Sequence, residues 1–286
     1  MILSALVLAT LTQTPQSYLT EALKWRIDRE TALKRTDGWL SVAGLVWDTE
    51  GDSSIGSKKG SKIQISGIPA EVGKLTITKR KASLTVNPGA DVKVNGMAVT
   101  GTVAIKTDAD GVADAVQFGT ESFKVIVRGA RIGARIFDSN SVFMKEFSGC
   151  HWYPVNENFR IKAKYTAYTP PRKVNIMNIL GDVDSVAVPG YVEFVIDGKS
   201  CQLDAQEEGD TLFFNFKDFT SGTITYPAGR FLNVPKPVDG FVDLDFNKAI
   251  NPPCAFTSFA TCPLPPSSNI LKVRISAGEL NHHPAH

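Results

Sequence analysis

The chain has 286 residues with 43% hydrophobic and 21% charged side chains, and a formal net charge of +2. That is the balance of a folded, soluble protein long enough for two cores, and it excludes an intrinsically disordered chain. So small a net charge steers neither nucleic acid nor anionic lipid, and no nucleic-acid partner is expected.

The chain opens on MILSALVLATLTQT. This run is too short for a membrane-spanning helix but has the length of a secretory h-region, although it lacks a basic n-region and a clean A-x-A site. Residues 1–16 are therefore read as a signal segment, and export to a periplasmic or extracellular space is expected. No later stretch is apolar enough to span a membrane. A helix is predicted within 17–40, with Leu19, Leu23 and Ile27 as its buried stripe, Glu30 and Lys34 as a supporting pair, and Asp37-Gly38 as the stop. Trp25 and Trp39 are expected to anchor it against a sheet.

Short β-branched and aromatic runs then follow one another: KLTIT, SLTV, VKV, GTVAI, SFKVIV and ARIFD. Asn95-Gly96 and Asp110-Gly111 are two-residue turn signals, and Lys79, Arg80 and Lys81 read as a solvated turn. The close spacing predicts an antiparallel sandwich over 41–140. Polar residues from Asp138 to Ser141 mark a boundary. A second β domain is predicted over 150–280 from FRIKAKYTAY, KVNIMNIL, GYVEFVID, CQLDA, TLFFNF, TITY, VDLDFN and ILKVRISAGE, leaving 281–286 as a tail. The predicted fold class is thus mainly β, a sandwich plus a second antiparallel β domain behind one N-terminal helix.

Two resemblances follow from these segments. EGDSSIGS, VKVNGMAV and VQFGTESFKVIV, between Gly44 and Asp138, resemble the opening turn, VNG turn and closing hairpin of the forkhead-associated (FHA) sandwich. That family reads phosphothreonine with an arginine after the opening glycine, where this chain has Asp52 and Ser53. An aspartate repels a phosphate and offers no bidentate fork, so a phosphopeptide partner is not expected and a scaffolding role is. Over nearly the whole chain, GWLSVAGLVW, VRGARIGARIFD, WYPVNENFRIKAKY, DFTSGTITYPAGRFL and DFNKAINPPCAFTSFATCPLPPSSNIL resemble a prokaryotic family catalogued as domain of unknown function 1684. That resemblance implies kinship and carries no catalytic residues with it.

Chemistry is sought first in NPPCAFTSFATCPLPP, residues 251–266. Prolines on both flanks fix φ and bias their predecessors to extended backbone, so the loop is expected to fold over something as the wall of a pocket. Cys254 and Cys262 form a disulfide candidate worth roughly 2.6 kcal/mol by loop entropy, with packed free thiols, or a catalytic or metal-binding pair, as the alternatives. In VDLDFN, Val242, Leu244 and Phe246 would face inward and Asp243, Asp245 and Asn247 outward. The two carboxylates suit a divalent cation or paired acid–base work, or simply one wet face. Arg230 is expected to pair with Asp243, Asp245 or a ligand carboxylate, and Glu279 to close the same cluster. Tyr226, Asn251 and Asn269 complete the polar ligand-binding set. There is no G-x-S-x-G elbow, P-loop, dinucleotide fingerprint or H-E-x-x-H. Two functions follow: an exported binding or accessory protein for a small molecule or polymer, or a hydrolase whose candidate catalytic residues are Asp243, Asp245 and Glu279.

Overall fold

The computed structural model describes residues 15–47 and 50–282. Most of the predicted signal segment, and residues 283–286 of the tail, lie outside the described residues. The chain is mainly β. Helix α1 (Pro15–Leu33) is followed by β1 (Val42–Trp47), β2 (Gly51–Gly56), β3 (Ile63–Gln64), β4 (Gly73–Thr78), β5 (Lys81–Val86), β6 (Lys93–Val94), β7 (Met97–Ala98), β8 (Gly101–Ile105), β9 (Val116–Phe118), β10 (Glu121–Arg128) and β11 (Arg131–Asp138). These strands make two sheets, ordered β1-β11-β10-β9-β6-β7 and β3-β2-β4-β5-β8. Side chains from both sheets meet in one core, where Ile55, Leu75 and Leu84 pack with Val116, Phe123 and Ala134. Two-residue turns set the hairpin registers: Asn95 and Gly96 adopt φ of 52° and 82°, and Lys79 and Arg80 φ of 50° and 64°.

After the short helix α2 (Val142–Glu146) come β12 (Arg160–Met177), β13 (Val183–Ile196), β14 (Lys199–Glu208), β15 (Thr211–Phe216), β16 (Arg230–Pro235) and β17 (Phe241–Asp245). They form one antiparallel sheet in the order β16-β15-β14-β13-β12-β17. The sheet curls until its ends meet. Ile250, just past β17, exchanges two backbone hydrogen bonds with Phe231 on β16, at 2.8 and 2.9 Å. Inward side chains of all six strands fill the ring, joined by Leu271, Val273, Ile275 and Ala277. A third cluster of Leu33, Leu40, Ala255 and Phe256 ties α1 to the proline-flanked loop.

Four expectations are corrected. Leu19, Leu23 and Ile27 of α1 are 37%, 47% and 67% exposed, while Tyr18, Ala22 and Leu33 are buried. The packed stripe is completed by Trp25, Arg26 and Arg29, with Arg26 lying 4.8 Å over the Trp152 ring and Arg29 5.5 Å over Phe256. Long cationic stems cover apolar surface as effectively as leucines do, and an apolar-only count misses them. The runs FRIKAKYTAY and KVNIMNIL are one strand, β12, whose register shifts around Pro170-Pro171. TITY forms a turn closed by hydrogen bonds to the Thr220 carbonyl rather than a strand. ILKVRISAGE keeps strand-like alternation yet makes only isolated bridges, at Ile270 and Glu279.

Candidate functional site

The proline-flanked loop is pinned on three sides. Pro253 starts a 3-10 turn through Ala255, and Thr257 Oγ1 donates to the Val42 carbonyl of the sandwich at 3.0 Å. On the far arm, Ile179 N donates to Cys262 O at 2.9 Å and Leu264 N to Met177 O at 2.7 Å, joining the loop to the β12–β13 hairpin tip. Asn215 Nδ2 on β15 donates to Pro263 O at 2.7 Å. Two rigid arms are thus clamped to separate elements, as proline-fixed φ angles favour.

The loop does wall a cleft. A cavity of about 510 Å³ is lined by Asn251, Pro253, Thr261, Cys262 and Pro263 from the loop, by Trp25 and Arg29 of α1, and by Phe213, Phe231 and Asn233 on the outer face of the barrel. Trp39, Arg128, Glu208, Lys248 and Ile250 complete it. Phe213 and Phe231 meet edge to face with centroids 4.9 Å apart. Arg128 is engaged by Asp108 at 2.5 Å and Lys248 by Glu21 at 2.8 Å, so both are neutralised from behind.

The polar wall is built around Glu279, which has no exposed surface. Its carboxylate accepts from Asn251 N at 3.0 Å and Asn251 Nδ2 at 3.1 Å. Asn251 Nδ2 also donates to Leu280 O at 2.7 Å. Arg29 Nε stands 3.9 Å from Glu279, an ion pair without a hydrogen bond, while Arg29 Nη2 donates to Asn251 O at 3.2 Å. Burial raises the Glu279 carboxyl above the usual carboxylate range, against the pull of Arg29 and Asn251. Asn251 Oδ1 and Arg29 Nε, on two residues that line the cleft, are buried atoms with no hydrogen-bond partner. One is an acceptor and the other a donor, in a wall otherwise flanked by aromatic rings.

The other predicted site residues go elsewhere. Arg230 pairs with Asp218 at 3.0 Å rather than with Asp243 or Asp245, and also donates to Ile275 O and Ala277 O. It is 1% exposed and serves the interior. Asp245 accepts from Tyr18 Oη at 2.8 Å, and Asn247 Nδ2 donates to Asp245, Tyr18 Oη and Asn156 O. A 3-10 turn at Phe246–Lys248 ends β17, turning Asp245 and Asn247 into the protein instead of onto a wet face. Asp243 alone faces solvent, on the edge strand opposite Lys162. Asp245 meets α1 at Tyr18 and Glu279 meets it at Arg29, contacts separated by roughly 16 Å of helix. The three carboxyls therefore share no cavity, and among the described residues no group of three His, Cys, Asp or Glu could hold a metal ion. Asn269 is spent on backbone, accepting from Asp204 N and donating to Asp204 O and Asn215 O. Tyr226 Oη donates to Cys254 O at 2.9 Å.

The sequence reading missed Arg29, Phe213, Phe231 and Asn233. The barrel trio had a signal: in TLFFNF and RFLNVP the alternation that buries Leu212, Phe214, Leu232 and Val234 sends Phe213, Phe231 and Asn233 outward. Two outward phenylalanines on paired strands mark a covered surface.

Among known proteins, the model for "Protein of unknown function (DUF1684)" matches residues 145–280, which hold the barrel and the loop but begin after the sandwich's last strand. The FHA-like resemblance of the sandwich lies outside that match. The solution NMR structure of an uncharacterized protein from Haloarcula marismortui is 31% identical, covering 48% of this chain and 78% of that one, with a TM-score of 0.41. No curated protein matches. The barrel, the loop and the buried Glu279 are thus features of a chain that belongs to the DUF1684 family.

Proposed function

We propose that the chain is a binding or accessory protein whose cleft takes a small molecule, or the end of a polymer, with a flat apolar body and a hydroxyl- or carboxyl-bearing head. The observation that carries this reading is Asn251, a cleft-lining residue whose Oδ1 is buried without a hydrogen-bond partner, in a wall it shares with Arg29. Leaving a buried acceptor unpaired costs about 1–3 kcal/mol, which a ligand hydroxyl that reached Asn251 would recover. Asn251 and Arg29 stand in the polar wall, while Trp25 and the Phe213–Phe231 pair supply the apolar surface typical of ligand clefts. The cleft's volume matches a ligand of one or two rings. Export belongs to this reading through the apolar run at the N-terminus. In it the FHA-like sandwich is scaffold, its opening-turn Asp52 engaged by Lys74 at 2.8 Å and Thr76 at 2.7 Å.

The test is a thermal-shift screen of the full chain against mono- and disaccharides, aromatic and aliphatic organic acids, and divalent cations. A ligand at a hundred times its Kd should stabilise the protein by about 2.7 kcal/mol. Asn233→Trp, which fills the cleft from an exposed barrel position, should abolish that shift and leave the unliganded melting temperature unchanged. The reading fails if nothing in the organic panel stabilises the protein or if the shift survives the filled cleft. Stabilisation by a divalent cation alone would favour the carboxylate hydrolase instead.

A further inference from the structure

Cys262 lines the cleft and touches a second cysteine, Cys254, from the other end of the same loop. Cys254 N donates to Cys262 Sγ at 3.2 Å, and the two side chains also hydrogen-bond to each other. They lie at opposite ends of the loop but are brought together by the 3-10 turn at Pro253–Ala255 and by the strand-like clamp on Cys262 O. None of the four cysteines is disulfide-bonded in this structure. We propose that Cys254 and Cys262 form a reversible dithiol–disulfide site, oxidised by a low-molecular-weight disulfide such as oxidised glutathione. This site stands independently of what the cleft binds.

Three observations separate this pair from the other cysteines. First, only these two sulfurs are neighbours. Cys150 hydrogen-bonds through its side chain to Glu279, and Cys201 Sγ contacts its own hairpin at Lys199 O. Second, the pair borders the cleft through Cys262, which no other cysteine lines, and Cys254 is partly exposed, as Cys150 also is. Third, within the pair the shared hydrogen bond holds the Cys254 thiol below its ordinary value and, with burial, pushes Cys262 up, while burial also pushes Cys150 and Cys201 up. A thiolate is the attacking species in exchange, so Cys254 is the entry point.

The step balances as follows. The Cys254 thiolate attacks one sulfur of oxidised glutathione, breaking its S–S bond, forming a mixed disulfide and expelling one glutathione thiolate. Cys262 then gives up its proton to solvent and attacks Cys254 Sγ. The internal S–S bond forms and the second glutathione leaves. Two protein thiols are oxidised and one disulfide is reduced to two thiols. The product ties the two arms of the wall together across the segment AFTSFAT.

The experiment equilibrates the full chain in glutathione buffers of graded potential, then alkylates it after unfolding and digests it with trypsin. Both cysteines fall in the single peptide spanning 249–272. From reducing to oxidising buffer, that peptide should go from two alkylated thiols to none with the loss of two hydrogens, and recover fully on adding dithiothreitol. Cys150 and Cys201 should be alkylated throughout. Two alkylated thiols at every potential, or only glutathione adducts with no internal link, would overturn the proposal. Cys262→Ser should trap one glutathione on Cys254, and its absence from a folded variant would overturn the order of attack.

Discussion

The sandwich and the barrel solve the same problem, a closed β core, with different materials. The sandwich core is almost wholly aliphatic and aromatic, with few buried polar side chains beyond Ser53, Thr107 and Arg135. Arg135 manages its own burial by stacking 4.9 Å over Trp39, with its guanidinium lowered to about 10 by desolvation. The barrel region buries Asn215, Asp218, Thr220, Thr225, Arg230, Asp245, Asn247, Asn251, Asn269 and Glu279. The cause is the chain between Phe246 and Glu279, which packs inside without regular strand pairing. Backbone groups there have no ladder to satisfy them, so side chains do it. Asp218 accepts from Ile275 N, Arg230 donates to the Ile275 and Ala277 carbonyls, and Asn269 bridges β14 and β15. The cleft sits where these two styles meet, and Asn251 Oδ1 and Arg29 Nε on its lining residues are buried without a hydrogen-bond partner, as are Asn215 Oδ1, Asp245 Oδ2 and two nitrogens of Arg135 elsewhere.

The comparison can be broken most sharply at Arg230. Arg230→Met leaves Asp218 buried without its counter-ion and two carbonyls unpaired, and should cost about 3–5 kcal/mol in urea unfolding. Adding Asp218→Leu should recover part of that loss, because a buried pair removed whole is less damaging than one removed by half. If Arg230→Met unfolds like the wild type, the barrel does not depend on polar stitching. Asn269→Ala should cost about 2 kcal/mol by the same logic, read as a shift in the denaturation midpoint with an unchanged slope. Smallest is Asp243→Asn, on the exposed face of β17, expected within about 0.5 kcal/mol. It should also leave any ligand-induced thermal shift untouched, and a lost shift would return Asp243 to the site.

How much was legible beforehand varied by region. Strands such as GTVAI and TLFFNF and the turn at Asn95-Gly96 follow from local alternation and left-handed turn residues, and the structure has them. The mainly β class and the wall-forming role of the proline loop were legible for the same local reason, since proline fixes φ wherever it stands. What failed depended on distance. The exposed stripe on α1, the Arg230–Asp218 pair and the inward turn of Asp245 arise because a helix, a β-turn and a strand end from remote parts of the chain meet. Tyr18 and Asp245, which bond at 2.8 Å, are 227 residues apart. Residue spacing can propose which carboxylates are neighbours within one strand. Only the packed fold decides which of them face a cleft and which are consumed in satisfying buried backbone, because that depends on partners no local period encodes.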